Sequence, residues 1–448
     1  MERILFNNLV IAVRDDQYLL LNLTSFRRKR ITSEEHSLLQ TAWEKTLSGR
    51  LLERDESNYV HKLGEEKQIL SKEVEIQHFS ALEKKELEIK APFPVRSLTF
   101  NITHQCNFAC DYCYQRMYNM LPEYSGRMTC DDIDIIANYI NNPTFLQTEL
   151  DNVTISGGEP LLPGNEAVIN HILDLFPAKE TVLFTNGVNI DRFKSRVNFD
   201  KIDKFQISLD GPDTTIFEVN HSSVSVKTIL NGIEQILSMG KNVSLAIMWT
   251  KSLEHNIETF ISLIEKTGFC SNKNFSISIN TARDYTCREI IDKSLYDWKY
   301  LLDCERKHSQ ILSTVQAKLV SSIEMGKLQH ILFRPINQSI NPKTICCRVQ
   351  DTLPLVFEPN GEIHWCVCLG KDQGIIGNYK SGVIMEDRIK ALANRNIFTI
   401  QQCRACAFKY LCGGGCVLNN IGSDTPVEAP FCNIYKEPFF LDHLEEFI

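Results

Sequence analysis

Long apolar stretches are missing from this chain of 448 residues. Runs such as Val10–Val13 and Leu19–Leu21 fall far short of the roughly 20 apolar residues that cross a bilayer. The start, Met1-Glu2-Arg3-Ile4, has no signal-peptide core with a small-residue cleavage site, so a soluble, cytoplasmic protein with no membrane partner is expected. A basic excess is missing as well. Lys and Arg number 48 against 56 Asp and Glu, a net charge of −8, so no global field gathers nucleic acid. Gly and Pro are scarce, at 21 and 15, beside 43% hydrophobic and 23% charged residues; collagen-like, disordered and coiled-coil chains are excluded. No internal repeat or low-complexity tract is present. On a prior of roughly 150 residues per domain, the length corresponds to about three domains.

Cysteine is abundant, with 16 residues. A disulfide scaffold is usually short and exported. In a reducing compartment, closely spaced cysteines point to metal thiolates or redox work, so function is sought there.

Residues 1–90 read as a small α+β unit. Leu9–Val13 and Tyr18–Leu23 flank Arg14-Asp15-Asp16-Gln17 as a hairpin. Thr32 with Glu35 is a capping-box signal, and Leu38, Leu39, Ala42 and Trp43 follow at helical spacing. Helices are also expected around Ser48–Arg54 and Glu65–Lys72, and Arg27-Arg28-Lys29-Arg30 reads as a solvated turn or a steering patch for an acidic peptide. Ala91-Pro92-Phe93-Pro94 is a linker, because two prolines in that space cannot continue a helix.

Over residues 95–280 strands alternate with helices. The strands are Ser97–Ile102, Asn152–Ile155, Thr181–Phe184, Lys204–Ser208, Val243–Trp249 and Asn274–Ile279; the helices include Asp131–Ile140, Glu166–Leu175, Val226–Met239 and Asn256–Glu265. This order predicts a parallel α/β sheet with right-handed crossovers, its site at the carboxyl ends of the strands. Residues 281–344 read as a helical bridge, including Ser294–Leu302 and Ser309–Met325, and 345–448 as a separate cysteine-rich domain.

Directly after the first of these strands comes Cys106-Asn-Phe-Ala-Cys110-Asp-Tyr-Cys113, a C-x3-C-x2-C spacing. Three thiolates can hold three irons of a four-iron, four-sulfur cluster and leave the fourth iron for an exchangeable ligand, since such clusters normally take four cysteines. Zinc is the competing reading, with His104 as a fourth ligand.

The stretch resembles the radical S-adenosylmethionine (SAM) superfamily, whose signature is this spacing with an aromatic residue before the last cysteine, here Tyr112. The resemblance runs on through Ser156-Gly157-Gly158-Glu159-Pro160, Thr185-Asn186-Gly187 and Ser208-Leu209-Asp210-Gly211. It implies a partial (β/α)6 barrel and one 4Fe-4S cluster on Cys106, Cys110 and Cys113. It also implies SAM chelated to the open iron, cleaved by one electron to a 5′-deoxyadenosyl radical that abstracts hydrogen; the cofactor does the difficult step. Glu159 is the expected acceptor for the SAM ammonium. Gly157 and Gly158 admit close backbone approach, and Ser208, Asp210 and Tyr112 complete the expected SAM surroundings. Many relatives carry an Arg about ten residues after Asp-Gly; Ile216–Ser223 has none, leaving Asn220 or His221 as substitutes.

At the other end stands Cys403-x2-Cys406-x5-Cys412-x3-Cys416, then Cys432, with Cys347, Gly361 and Cys366 upstream. A zinc ribbon accounts for close cysteine pairs in general, but these seven in this order resemble the SPASM domain, an extension that carries two auxiliary 4Fe-4S clusters. The resemblance assigns Cys347, Cys366 and Cys416 to the first and Cys403, Cys406, Cys412 and Cys432 to the second; Cys346 or Cys368 is available to complete the first, or its fourth iron stays open to substrate. Cys130, Cys270, Cys287 and Cys304 are expected to be small buried hydrophobes.

SPASM enzymes mostly modify peptides and proteins. The N-terminal unit resembles the winged-helix leader-recognition element of ribosomal-peptide (RiPP) maturases, which binds a leader along a strand edge. Sulfatase maturases place an Asp after the cysteine that matches Cys366; Val367 stands here, which disfavours that activity and leaves the catalytic base unassigned. The expected function is therefore hydrogen abstraction from a precursor peptide with a leader, forming a carbon–carbon or thioether intrapeptide crosslink, with flavodoxin or ferredoxin as reductant. Oxidation or epimerisation of a peptide is the alternative enzyme reading, and a non-catalytic metal-binding interaction protein the alternative of a different class.

Overall fold

The computed structural model describes residues 2–4, 8–13, 17–22, 27–66, 68–69, 77, 80, 92–113, 115, 125–281, 298–317, 319–320, 353–367, 374–404, 406 and 409–414. The chain forms two compact units, one of Met1–Ile89, Ile323–Cys347 and Ala391–Ile448, the other of Lys90–Ser322 and Arg348–Lys390.

In the first unit, β1 (Glu2–Ile4), β2 (Asn8–Val13), β3 (Gln17–Asn22) and β4 (Arg28–Thr32) form an antiparallel meander in sequence order. Helix Ser33–Leu47 starts where expected: the Glu35 amide donates to Thr32 Oγ1 at 3.2 Å, and Glu35 carboxylate accepts from the Thr32 amide at 2.9 Å. Leu20 and Ile31 of the sheet pack with Leu39, Ala42, Tyr59, Leu63 and Ile69.

Three local expectations are corrected. Residues 48–53 are a turn rather than helix, because Gly49 adopts a left-handed φ of 69° and a second capping box at Glu53 starts the next helix only at Arg54. That helix ends at Glu65, and the Gln68 and Ile69 amides both turn back to the Leu63 carbonyl, which drops Ile69 into the core. The basic run is no turn either: Arg28–Thr32 is edge strand β4, with Arg28 buried and Lys29 2.7 Å from Glu66.

Among the described residues, the second unit is built on an eleven-stranded mixed sheet. Its parallel part contains β5 (Phe93–Asn101), β6 (Phe145–Ser156), β7 (Ala178–Thr185), β8 (Lys204–Ser208), β9 (Asn242–Trp249) and β10 (Phe275–Thr281). These are the six expected strands in the expected order. Helices Cys130–Ile140, Glu166–Leu175, Val226–Ser238 and Lys251–Thr267 lie between them in sequence. One sheet face is apolar, with Leu98, Phe100, Val153, Ile155, Leu183, Phe205, Ile207, Leu245 and Ile247 buried. By strand alternation the opposite face carries Ser97, Asn152, Thr154, Gln206, Ser208, Ser276 and Ser278, all at least partly accessible.

Two features were not expected. Helix Trp298–Thr314 is followed by β11 (Leu319–Val320), parallel to β10, where the bridge was read as helical through Met325. At the other edge, β12 (Pro354–Phe357) runs parallel to β5 and leads into an antiparallel run of β13 (Glu362–His364), β14 (Ile375–Asn378) and β15 (Val383–Ile384). Among the described residues no helix is long and apolar enough to cross a membrane.

Candidate metal centre and cofactor site

The loop that leaves β5 carries Cys106, Cys110 and Cys113 at the carboxyl end of the parallel strands, each half-buried. Two neighbours hold its backbone. From below, the Gly158 amide donates to the Thr103 carbonyl at 2.6 Å and the Glu159 amide to the Gln105 carbonyl at 2.9 Å. From the side, the Ala109 and Asp111 amides donate to the carbonyls of Asn220 and Val219, at 3.0 and 3.1 Å, just past helix Asp213–Val219.

The glycine pair has a definite steric task. A Cβ on Gly157 would lie 2.3 Å from the Thr103 carbonyl oxygen, and one on Gly158 2.2 Å from that of Gln105. Gly157 also has φ +142°, a region that disfavours side chains. The close approach that these glycines admit is that of the cysteine loop's own backbone.

Glu159 is fully buried. Its Oε1 accepts from Thr185 Oγ1 at 2.7 Å and the Leu161 amide at 2.8 Å, and its Oε2 from the Asn186 amide at 2.7 Å. Burial pushes its carboxyl up to about 7, against the pull of these donors. Asn186 in turn donates to Asn107 Oδ1 at 2.6 Å, so the Thr185-Asn186 turn reaches the cysteine loop directly.

Asp210 is buried too. It accepts from the Tyr112 hydroxyl, from Asn220 Nδ2 at 2.6 Å and from the Met248 amide at 2.9 Å, and burial raises its carboxyl. The Asn220 amide also points at Cys110 Sγ, 3.1 Å away. Asn220 therefore spends its donors on Asp210 and Cys110, while His221 pairs with Asp111 at 2.7 Å. Ser208 stands exposed at the end of β8.

The donor set fits a cationic iron–sulfur core. Desolvation pushes the Cys106 thiol up to about 11 and raises Cys110, with each thiol disfavouring ionisation of its neighbours. Bound positive charge reverses that balance and makes thiolates of all three. His104, the zinc alternative's fourth ligand, is engaged elsewhere: its ring reaches Gln115 Oε1 and Glu358 Oε2, each at 2.9 Å. Among the described residues no three Cys, His, Asp or Glu side chains gather tightly enough for a single metal ion.

Of the C-terminal cysteines, Cys366 follows β13 in the second unit and is half-buried. In the first unit Cys403 is buried, Cys406 is half-buried, and the Cys406 amide donates to the Cys403 carbonyl at 3.0 Å, winding the pair into a tight turn. Cys412 closes the short helix Lys409–Cys412. Cys347, Cys416 and Cys432, with Cys287, Cys346 and Cys368, lie outside the described residues. Cys304 is buried as expected, but Cys130 and Cys270 are only half-buried.

Residues 100–267 match the family model of the Radical SAM superfamily. The match takes in the cysteine loop, the glycine pair, Glu159 and Asp210, so this stretch is similar to a radical SAM domain. Among curated proteins, a GTP 3′,8-cyclase of Staphylococcus epidermidis is 26% identical over 201 residues, covering 43% of this chain and 56% of that protein. A GTP 3′,8-cyclase of Staphylococcus aureus is 27% identical over 179 residues, 38% of this chain and 50% of that one. The chain thus spans about half the length of the curated relatives it matches. Among solved structures, Streptococcus suis SuiB bound to precursor peptide SuiA aligns over 96% of this chain and 99% of its own, with TM-score 0.53 and 17% identity. The anSMEcpe structure with bound AdoMet aligns over 78% and 95%, with TM-score 0.53 and 17% identity. These likenesses show a shared fold.

Proposed function

We propose that this chain is a radical SAM peptide maturase that recognises the leader of a ribosomally made precursor and installs an intrapeptide carbon–carbon or thioether crosslink. The observation that carries the reading is the extent of the likeness to SuiB, a protein solved with its precursor peptide: it takes in 96% of the chain and is not confined to the domain at residues 100–267. In this reading the N-terminal meander and its two helices are the winged-helix-like leader-recognition element, and the C-terminal cysteines a SPASM domain with two auxiliary clusters.

Cys106, Cys110 and Cys113 would hold the radical cluster. When bound, cluster and SAM supply one-electron carbon–sulfur cleavage and removal of a hydrogen atom from substrate. The rest falls to the chain. Asn220 orients Cys110, Tyr112 and Asp210 tie the loop to the ends of β8 and β9, and the Glu159 hub holds the turn after β6 to that after β7. Ser208 and its polar neighbours on the open sheet face offer hydrogen bonds to SAM or peptide. Forming the bond would also require the loss of a second hydrogen as a proton and an electron, and an auxiliary cluster held by the C-terminal cysteines would supply the electron acceptor.

The test is incubation of the anaerobically reconstituted protein with SAM, dithionite and candidate short peptides translated from the open reading frames that neighbour its gene. The expected product is 5′-deoxyadenosine together with a peptide lighter by two hydrogens, with no fragment ions between the joined residues. SAM cleavage with a peptide of unchanged mass would refute the crosslink.

A further inference from the structure

The cysteine loop is closed at its base by a buried polar clamp that none of the SAM-site residues explains. His104 lies two positions before Cys106 and Gln115 two after Cys113, and the His104 Nδ1 meets Gln115 Oε1 at 2.9 Å. The other ring nitrogen, Nε2, lies 2.9 Å from Glu358 Oε2. Glu358 Oε1 accepts from Asn101 Nδ2 at 2.7 Å, at the last position of β5. His104, Gln115, Asn101 and Glu358 are each no more than 2% exposed.

Glu358 belongs to the turn between β12 and β13, whose far end leads to Cys366. The turn itself does not use its carboxylate: the Glu358 amide donates to the Glu362 carbonyl, and its carbonyl accepts from the Tyr379 hydroxyl. A carboxylate withdrawn from water carries a heavy desolvation cost unless polar partners offset it. Here those partners all flank the cysteine loop.

We propose that Glu358 is a positioning residue for the radical-cluster loop. It locks His104 and Asn101, and through His104 and Gln115 both ends of the segment that bears Cys106, Cys110 and Cys113. The β12–β13 turn and the cysteine loop thereby move as one piece. The inference rests on reading those three cysteines as cluster ligands.

The test compares Glu358→Ala and Glu358→Gln with the wild type, as anaerobically reconstituted full-length protein. Glu358→Gln keeps the shape and an acceptor for Asn101 but loses the charge. The readouts are the electron paramagnetic resonance spectrum of the dithionite-reduced protein with and without SAM, and deuterium uptake over residues 102–115. The expected result is wild-type iron content, a broadened SAM-induced signal and roughly tenfold faster amide exchange in Glu358→Ala, with Glu358→Gln between the two. Spectra and exchange of both variants matching the wild type would overturn the clamp. So would an insoluble Glu358→Ala beside a Glu358→Gln of wild-type spectrum and exchange, which leaves Glu358 a purely structural role. A wild type that shows no SAM-induced change counts against the cluster reading instead, and the exchange comparison still decides the clamp.

Discussion

At the scale of single residues, the glycine pair after β6 makes the sharpest demand. The atoms nearest an added Cβ on Gly158 are all backbone, the Gln105 carbonyl oxygen at 2.2 Å and the His104 carbonyl oxygen at 2.6 Å. Gly158→Ala is expected to destabilise the protein by about 1–3 kcal/mol, the usual cost of overpacking, and to lower iron bound per chain. Gly126→Ala, whose Cβ would meet Pro359 only at 3.9 Å, is the matched control with little effect. Thermal melts and iron assay on the two variants make the comparison.

Glu159 gives a pH dependence. Its carboxyl sits at about 7 in the folded protein, raised by burial from an ordinary 4.5. A raised folded value means that the native state holds the proton more tightly than the unfolded one. The stabilisation is complete below 4.5 and is lost as pH rises through about 7, a swing on the order of 3 kcal/mol. Glu159→Gln cannot ionise, so the difference in melting temperature between wild type and variant should change steadily from pH 5 to pH 8, against the wild type at the alkaline end. The variant also sets an amide NH2 against one of three backbone or hydroxyl donors, which costs about 1–3 kcal/mol throughout. A difference that stays constant with pH would count against the buried titration.

At the scale of elements, the N-terminal meander and its helices meet through one small core. Leu39→Ala removes a fully buried side chain from it and should cost about 2–5 kcal/mol there. Every residue placed at the cofactor site lies between Asn101 and Met248, so SAM cleavage without peptide should persist while affinity for the full-length precursor falls. Fluorescence anisotropy with labelled precursor measures this, and unchanged affinity in a demonstrably loosened variant would sink the recognition role.

The elements also show what periodicity can carry. The six parallel strands were legible because each holds a short apolar run, and the helices between them repeat apolar residues on one face. β4 was not, because Arg28-Lys29-Arg30 offers no alternating apolar signal; its strand comes from pairing with the apolar β3. The site divides in the same way. Cysteines and glycines announce themselves by spacing, whereas Glu358 reaches Asn101 across 257 positions and no local pattern marks it.

At the scale of the whole molecule, the cysteines form separable sets. Replacing Cys106, Cys110 and Cys113 together by Ala should remove one cluster's worth of iron and abolish 5′-deoxyadenosine formation, leaving the remaining iron in place. SAM cleavage by that variant under dithionite would refute the assignment. Replacing Cys403 and Cys406 should remove a different share of iron and reduce the soluble yield, since metal-binding free energy is also folding free energy. Iron and sulfide assays on the soluble fractions distinguish the two losses.

The place of β12 in the sheet bears on how the protein is made. β5 lies in the sheet interior, between β6 and β12. During synthesis its β6 side is filled early, but its other side stays open while the ribosome adds the 257 residues from Ile102 to Glu358. An unpaired strand edge invites association with other chains, so a product cut short before residue 353 should collect in aggregates rather than survive as a smaller enzyme. The base of the cysteine loop is likewise incomplete until Glu358 has emerged. In the proposed reading the cysteine loop would then reach its final hold only after the strands of the parallel sheet, β12 included, have all been synthesised.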